Sequence, residues 1–423
     1  MTIDTGNTAF VLCCAALVLL MTPGLGFFYG GMVRGRNVLN TLMLSFVTLA
    51  VVGVQWVLVG YSLAFAPSDG WWAPFLGSLR WLGLQGVGVL PEPAYSANIP
   101  HLAYVVFQFT FAVITPAIIS GAVVERIHFR AYVAFVALWT TVVYAPIAHW
   151  VWGQNGWLKG LGALDFAGGT VVHIAAGVSA LVAAAVVGSR TQRTPVVSQG
   201  YQVPFVLLGA ALLWFGWFGF NGGSALEANG IAALAITTTN AAAAAGAFSW
   251  MALEGWRDRK VTVVGGASGA VAGLVAITPA AGFVSPVAGL IIGATSGIIC
   301  LYAVEWNRRR LHIDDSLDAF SVHGVGGVLG ALLTGVFASK SLNPGGADGA
   351  LYGHFELLGV QILAVFSVAV YAWVGTWLIL KILDRFMDLR VGQTVEDEGL
   401  DRHHHGSGLA TGPLPGHLVA AND

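Results

Sequence analysis

The chain is 423 residues long, 56% hydrophobic and only 9% charged, with a formal net charge of −2. Soluble domains carry roughly a quarter charged residues, so a water-soluble globular fold is excluded, and no nucleic-acid partner is expected. The apolar runs are continuous rather than alternating in ten-residue units, which rules out a membrane β-barrel and leaves an all-α integral membrane protein.

Cutting the sequence at its polar and charged breaks predicts eleven transmembrane helices. They fall near 8–29, 40–65, 102–122, 131–150, 169–188, 203–221, 231–253, 261–279, 284–304, 319–338 and 355–383. The first span ends in Gly26-Phe27-Phe28-Tyr29-Gly30-Gly31 and contains Cys13 and Cys14; Cys300 lies in the ninth. These cysteines fit small apolar side chains better than a disulfide or a metal site. The first positive side chain is Arg34, behind the whole first span, so no cleavable signal with a basic leader is evident. The fifth span follows Asp165 and carries His173. The sixth ends in Trp217-Phe218-Gly219-Phe220-Asn221-Gly222-Gly223, an echo of the first. Gly265, Gly269 and Gly273 in the eighth suit close helix packing. The tenth carries His323, with Asp318 just upstream. Residues 1–385 read as the membrane domain and 386–423 as a polar cytoplasmic tail.

Of the 19 Lys and Arg residues, 16 fall on one side of this alternation; only Arg80, Lys159 and Lys340 fall on the other. The positive-inside rule assigns the larger set to the cytoplasm. The amino terminus is then outside and the carboxyl terminus inside, as an odd span count requires.

His173 and His323 stand well inside apolar runs, where a titratable group is costly and marks a substrate or proton path. Each sits in the same pattern, Val172-His173-x-x-x-Gly177 and Val322-His323-x-x-x-Gly327. The alternation makes the fifth and tenth spans antiparallel, as expected of an inverted repeat of spans 1–5 and 6–10 with an eleventh helix outside it. Each histidine is about four residues into its span, from opposite faces. At 1.5 Å per residue, flush helices would leave the rings roughly 15–20 Å apart. The pair can meet only if both helix starts are recessed, with Asp165 and Asp318 partly buried and fixing backbone donors there.

No carboxylate sits near mid-membrane to balance a bare cation. Imidazole with aromatic and aliphatic walls suits a small neutral molecule that donates and accepts hydrogen bonds, arriving as an ion that sheds its proton. None of the four lysines follows a glycine, so a phosphate-binding loop is absent. Nothing in the sequence calls for a cofactor, a metal or an enzymatic reaction.

The run Asp165-Phe166-Ala167-Gly168-Gly169-Thr170-Val171-Val172-His173 resembles the signature of the ammonium transporter/Rhesus family, on the bacterial ammonium branch. So do Phe28-Tyr29-Gly30-Gly31 with Arg34, Glu125-Arg126, Ala148-His149, Gly216 to Asn221, and Asp318-x-Phe320-x-Val322-His323-Gly324, in order over roughly residues 8–400. The resemblance implies a homotrimer in the cell membrane, each subunit with one hydrophobic pore for ammonium or ammonia and, more slowly, methylammonium. It implies a recruitment site at Trp152, Phe111 and Ser224 backed by Asp165. It implies a gate of Phe111 and Phe220, a central pair of His173 and His323, and secondary lining by Trp217 and Thr278. Read alone, Trp152 is equally an interfacial tryptophan, Ser224 a helix cap, and the phenylalanines ordinary core. Ser321 departs from the glycine common before Val-His. Residues Arg390-Val391 and 396–401 resemble a regulatory tail that docks on the cytoplasmic face and couples subunits; a PII-type signalling protein is a further implied partner. His403, His404 and His405 read as a solvated tract rather than a metal site. An ammonium sensor without net flux is the alternative function, although the 34 residues from Arg390 to Asp423 are few for an appended signalling domain.

Overall fold

The computed structural model describes residues 2–191, 202–406 and 408. Arg193, used in the charge count, and the tail from residue 409 lie outside them.

The fold is all-helical. The membrane segments are α1 Thr5–Gly30, α2 Gly35–Phe65, α3 His101–Ser120, α4 Phe129–Gly160, α5 Gly169–Val187, α6 Val203–Gly223, α7 Gly230–Asp258, α8 Val263–Ile277, α9 Pro286–Leu311, α10 Phe320–Phe337 and α11 Phe355–Leu383. Two short helices follow, α12 Gln393–Glu398 and α13 Leu400–His405. All eleven expected segments are present. Ten are long and apolar enough to cross a membrane. The eighth has 15 helical residues, about 22 Å at 1.5 Å each, and buried turns through Thr278, Ala280, Ala281 and Val284 extend it. Helix starts are fixed by short polar side chains that accept otherwise unpaired N–H groups. Asp4 caps α1, Asn229 caps α7, Thr262 caps α8, and Ser285 caps α9 ahead of Pro286.

The two halves meet through two antiparallel crossings, each made close by glycine. Between α1 and α6, a Cβ on Gly223 or Gly219 would strike Cys14, one on Gly216 would strike Met21, one on Gly24 Leu212, and one on Gly31 Val206. Numbers rise along one helix as they fall along the other. Between α5 and α10, a Cβ on Gly177 would strike Gly324, and one on Gly327 would approach both the Gly169 carbonyl and the His173 Cβ at 3.1 Å. Equivalent helices therefore pair head to tail, which is the inverted repeat. Helix α11 packs outside it, against α5 and α10.

On the face that carries Arg34, Glu125 and Arg190, a buried polar network closes the bundle. Glu125, at φ +69°, accepts from the Arg34 backbone N–H and Nε, Asn37 Nδ2 and Arg190 Nη1. Arg190 also forks onto Asp314. Burial alone would push the Glu125 carboxyl up, but Arg190 and Arg34 outweigh it and hold the pKa down at about 2. Among the described residues the Arg126 guanidinium has no carboxylate on it; it donates to the carbonyls of Gly188, Ala122 and Asp314 and to Ser316 Oγ.

The tail docks on this face. Val391 N–H donates to the Arg126 carbonyl and His128 N–H to that of Leu389. Glu396 takes Arg390 and the Thr191 N–H. Asp401 accepts the Leu39 and Asn40 N–H groups at 3.1 and 2.8 Å, capping the first turn of α2 from a distant part of the chain. The histidine tract is not simply solvated. His404 Nδ1 and His405 Nε2 both bond Asn40 Oδ1, at 3.0 and 3.1 Å, and only His403 pairs outward, with Glu398.

Candidate functional site

The site is a column of flat rings running from an open cavity to the centre of the α5–α10 crossing. The cavity, about 180 Å³, is lined by Trp152 at the end of the long part of α4, by Tyr104, Phe107, Gln108 and Phe111 on one face of α3, and by Lys159, Phe166 and Ser224. Trp152 Nε1 donates to the Asp165 carbonyl at 3.0 Å, which orients the indole edge-on to Phe111, with centroids 5.8 Å apart and an interplanar angle of 85°. Ser224 is the residue that ends α6; its hydroxyl donates to the Phe220 carbonyl at 2.8 Å. Its lone pairs remain to accept, so the helix-end and recruitment readings of this residue are compatible.

Beneath the cavity Phe111 and Phe220 lie 4.3 Å apart and are each 1% exposed, a closed apolar contact. Phe220 stacks on His173 at 6.0 Å, Trp217 on His173 at 5.5 Å, and His173 on His323 at 5.3 Å, all within 28° of parallel. The two Nδ1 atoms are 3.1 Å apart. One imidazole must therefore donate and the other accept. Among the described residues His173 Nε2 is buried without a partner. Around the pair is a constriction of about 10 Å³, walled by Leu25, Ile114, Ile118, Leu213 and Val271 among others, near the lower limit for one water molecule. Trp217 Nε1 is fixed on Thr278 Oγ1 at 2.9 Å, and Thr278 in turn on the Leu274 carbonyl.

The recessed helix starts exist, and local chemistry explains them. Asp165, 8% exposed, accepts the N–H groups of Gly168, Gly169, Thr170 and Val171 and the Thr170 hydroxyl. It neutralises nearly every orphan donor of α5. Gly168 has φ +112°, and a Cβ there would meet Val172 and Trp152. The first turn of each histidine helix is π-helical, Gly169–Ile174 and Phe320–Gly324; such turns are rare and concentrate at functional sites.

In the second half the expectation for Asp318 is corrected. The residue that binds the start of α10 is Asp315, which accepts the Ala319 and Phe320 N–H groups at 3.0 and 2.7 Å. Asp318, at φ +59°, turns away to Arg308. The signal was in the spacing, since Asp165 and Asp315 each precede their histidine by eight residues. Burial, then Asp318, push the Asp315 carboxyl up to about 7. Ser321 is fully buried with its hydroxyl unpartnered. Tyr104, Phe107 and Gln108, absent from the motifs, share the helix face of Phe111 at spacings of three, four and seven, which is the pattern that finds them. Among the described residues no cluster of three His, Cys, Asp or Glu side chains could hold a metal ion.

An inverted repeat with stacked aromatic rings and buried polar groups at the repeat interface is the architecture of a membrane transport protein. The sequence model of the Ammonium Transporter Family matches residues 9–409, and the chain belongs to that family. It is similar to an ammonium transporter of Bacillus subtilis, 50% identical over 95% of this chain and 97% of that one. It is also similar to the ammonium transporter Amt1 of Archaeoglobus fulgidus, 44% identical over 95% and 98%. Among solved structures, Candida albicans Mep2 superposes with a TM-score of 0.86 at 36% identity, over 93% of this chain and 88% of that one. A protein described as a sensor Amt protein superposes with a TM-score of 0.85 at 31% identity, over 95% and 98%.

Proposed function

We propose that the protein transports ammonium by recruiting the ion in the aromatic cavity, deprotonating it near the gate and conducting ammonia past His173 and His323, with the proton carried separately. The observation that carries this reading is the 3.1 Å imidazole pair, set in a passage whose other walls are apolar. The indole face of Trp152 attracts a small cation, and Ser224 supplies an acceptor. Asp165 adds a negative charge beneath them and holds the backbone of α5. A bare ion at the histidine level would meet no counter-charge, a penalty of several kcal/mol. Ammonia enters as a neutral molecule, and the orphan His173 Nε2 is a hydrogen-bond partner for it. Trp217 and Thr278 hold the stack from the side.

The basic-residue asymmetry supports a cell-membrane protein with an outside amino terminus and a cytoplasmic tail, so the aromatic cavity faces outward. The family likeness supports a homotrimer, and the docked tail supplies a surface through which subunits or a PII-type protein would act on the pore. A sensor reading has one specific observation behind it, the likeness to a sensor Amt protein; net flux separates the two. Purified protein in liposomes on a solid-supported membrane should give currents on ammonium pulses, smaller ones on methylammonium and none on potassium. Saturable ammonium binding without current or ammonium accumulation would establish the sensor instead.

A further inference from the structure

One wall of the cavity carries a group that works against cation capture. Lys159 follows the break in α4 at Gly153 and lines the same cavity as Trp152, Phe111 and Ser224. Its Nζ donates to the Trp152 carbonyl at 3.2 Å, while the same residue's indole N–H is committed to Asp165. No carboxylate accompanies Lys159 among the described residues; its partner is that carbonyl alone. The carbonyl belongs to the last turn of the helical stretch Ala145–Trp152, where the helix presents its negative end and would otherwise offer an acceptor to a cation entering the cavity. The lysine head group has the same chemistry as the substrate, a compact ammonium with N–H donors.

We propose that Lys159 is an affinity-setting residue: its tethered ammonium caps the Trp152 carbonyl and repels the external ion, raising the ammonium concentration needed for half-maximal transport. The inference rests on the transport reading above. Two unit charges sharing a water-filled cavity of this size repel enough to change binding roughly threefold. Lys159 is exposed whereas Asp165 is buried, at 8% exposure, so the ion is discouraged at entry and favoured once inside.

The test compares wild type, K159Q and K159R in liposomes at matched protein density and low ionic strength, reading half-saturation from ammonium-evoked currents. Gln keeps a donor for the Trp152 carbonyl and removes the charge; Arg keeps both. K159Q is expected to lower the half-saturation concentration roughly threefold or more, and K159R to shift it much less. An unchanged or higher value in K159Q would overturn the proposal, leaving Lys159 as a helix cap. So would an equal fall in K159R, which would make the effect one of shape rather than charge. If wild type itself gives no ammonium current while binding ammonium, the transport reading fails first and the inference falls with it.

Discussion

Gly177 lies directly against Gly324, so that a Cβ on Gly177 would stand 2.9 Å from the His323 carbonyl carbon and closer still to the Gly324 backbone. Backbone contact, not side-chain packing, thus sets how near the two histidine helices approach. Gly177→Ala should force the crossing apart and destabilise the protein by about 1–3 kcal/mol, read as a lower melting temperature in detergent together with loss of ammonium current. Gly359→Ala, on α11 with open space around it, is the control and should leave both unchanged.

The imidazoles share one hydrogen bond only with complementary tautomers. Replacing either His173 or His323 by an apolar residue should abolish ammonium current or open the passage to hydrated cations. A double substitution that kept wild-type flux and potassium exclusion would remove the pair from the mechanism.

Asp165 holds five donors, so its two conservative losses should separate. Asp165→Asn keeps the shape, drops the charge and leaves the N–H donors of one carboxylate oxygen facing an amide nitrogen that cannot accept; folded but less stable protein with weakened recruitment and transport is expected. Asp165→Ala strands several buried N–H groups at about 1–3 kcal/mol each, and should fail first in folding yield and thermal stability. Equal, full activity in both variants would contradict the role assigned here.

In the transport reading proposed above Phe220 does more than block water, because it also stacks on His173. Phe220→Ala should therefore lose ammonium current while the potassium barrier largely stays, since the apolar span beneath is intact. Measured potassium flux in this variant, or in wild type, would show that selectivity does not come from dehydration.

His404 docks as a neutral ring. Burial, followed by His128, His405 and His403, lowers its pKa to about 4, and its ring lies 5.4 Å from His128 and 6.4 Å from Phe129 with Asn40 as acceptor. A histidine free in solution titrates near 6.5. The docked tail therefore binds fewer protons than the free tail between these values, and docking weakens as pH falls from about 6.5 toward 4. Hydrogen exchange of residues 393–405, corrected for intrinsic rates, should rise between pH 7.5 and 5.5 in wild type and change less in His404→Gln. An equal rise in both would assign the effect elsewhere.

The apolar runs, the repeat and the histidine pair were legible because each is a pattern along one stretch of chain. Asp165 was legible for the same reason, sitting three to six residues from the donors it serves. Asp318 lies nearer to His323, but the eight-residue interval shared by Asp165–His173 and Asp315–His323 is the better guide. The network joining Arg34, Glu125, Arg190 and Asp314 could not be read, since its members are separated by 65 to 124 positions and pair only once the halves have packed. The docking of His404 and His405 on Asn40 was hidden likewise: a polar tract shows nothing of the distant carboxamide that receives it.

The wide turns at the start of α5 and α10 have an implication for how such helices can change in length. A π turn is an α-helix carrying one additional residue, so deleting a single residue within 169–171 would let α5 return to regular α geometry with its flanks near their present register. The loss would fall on Asp165, whose carboxylate takes the N–H groups of Gly169, Thr170 and Val171. With one donor fewer, the cradle that ties the Trp152 wall of the cavity to the start of α5 would be looser. The width of this turn is thus held as tightly as side-chain identity.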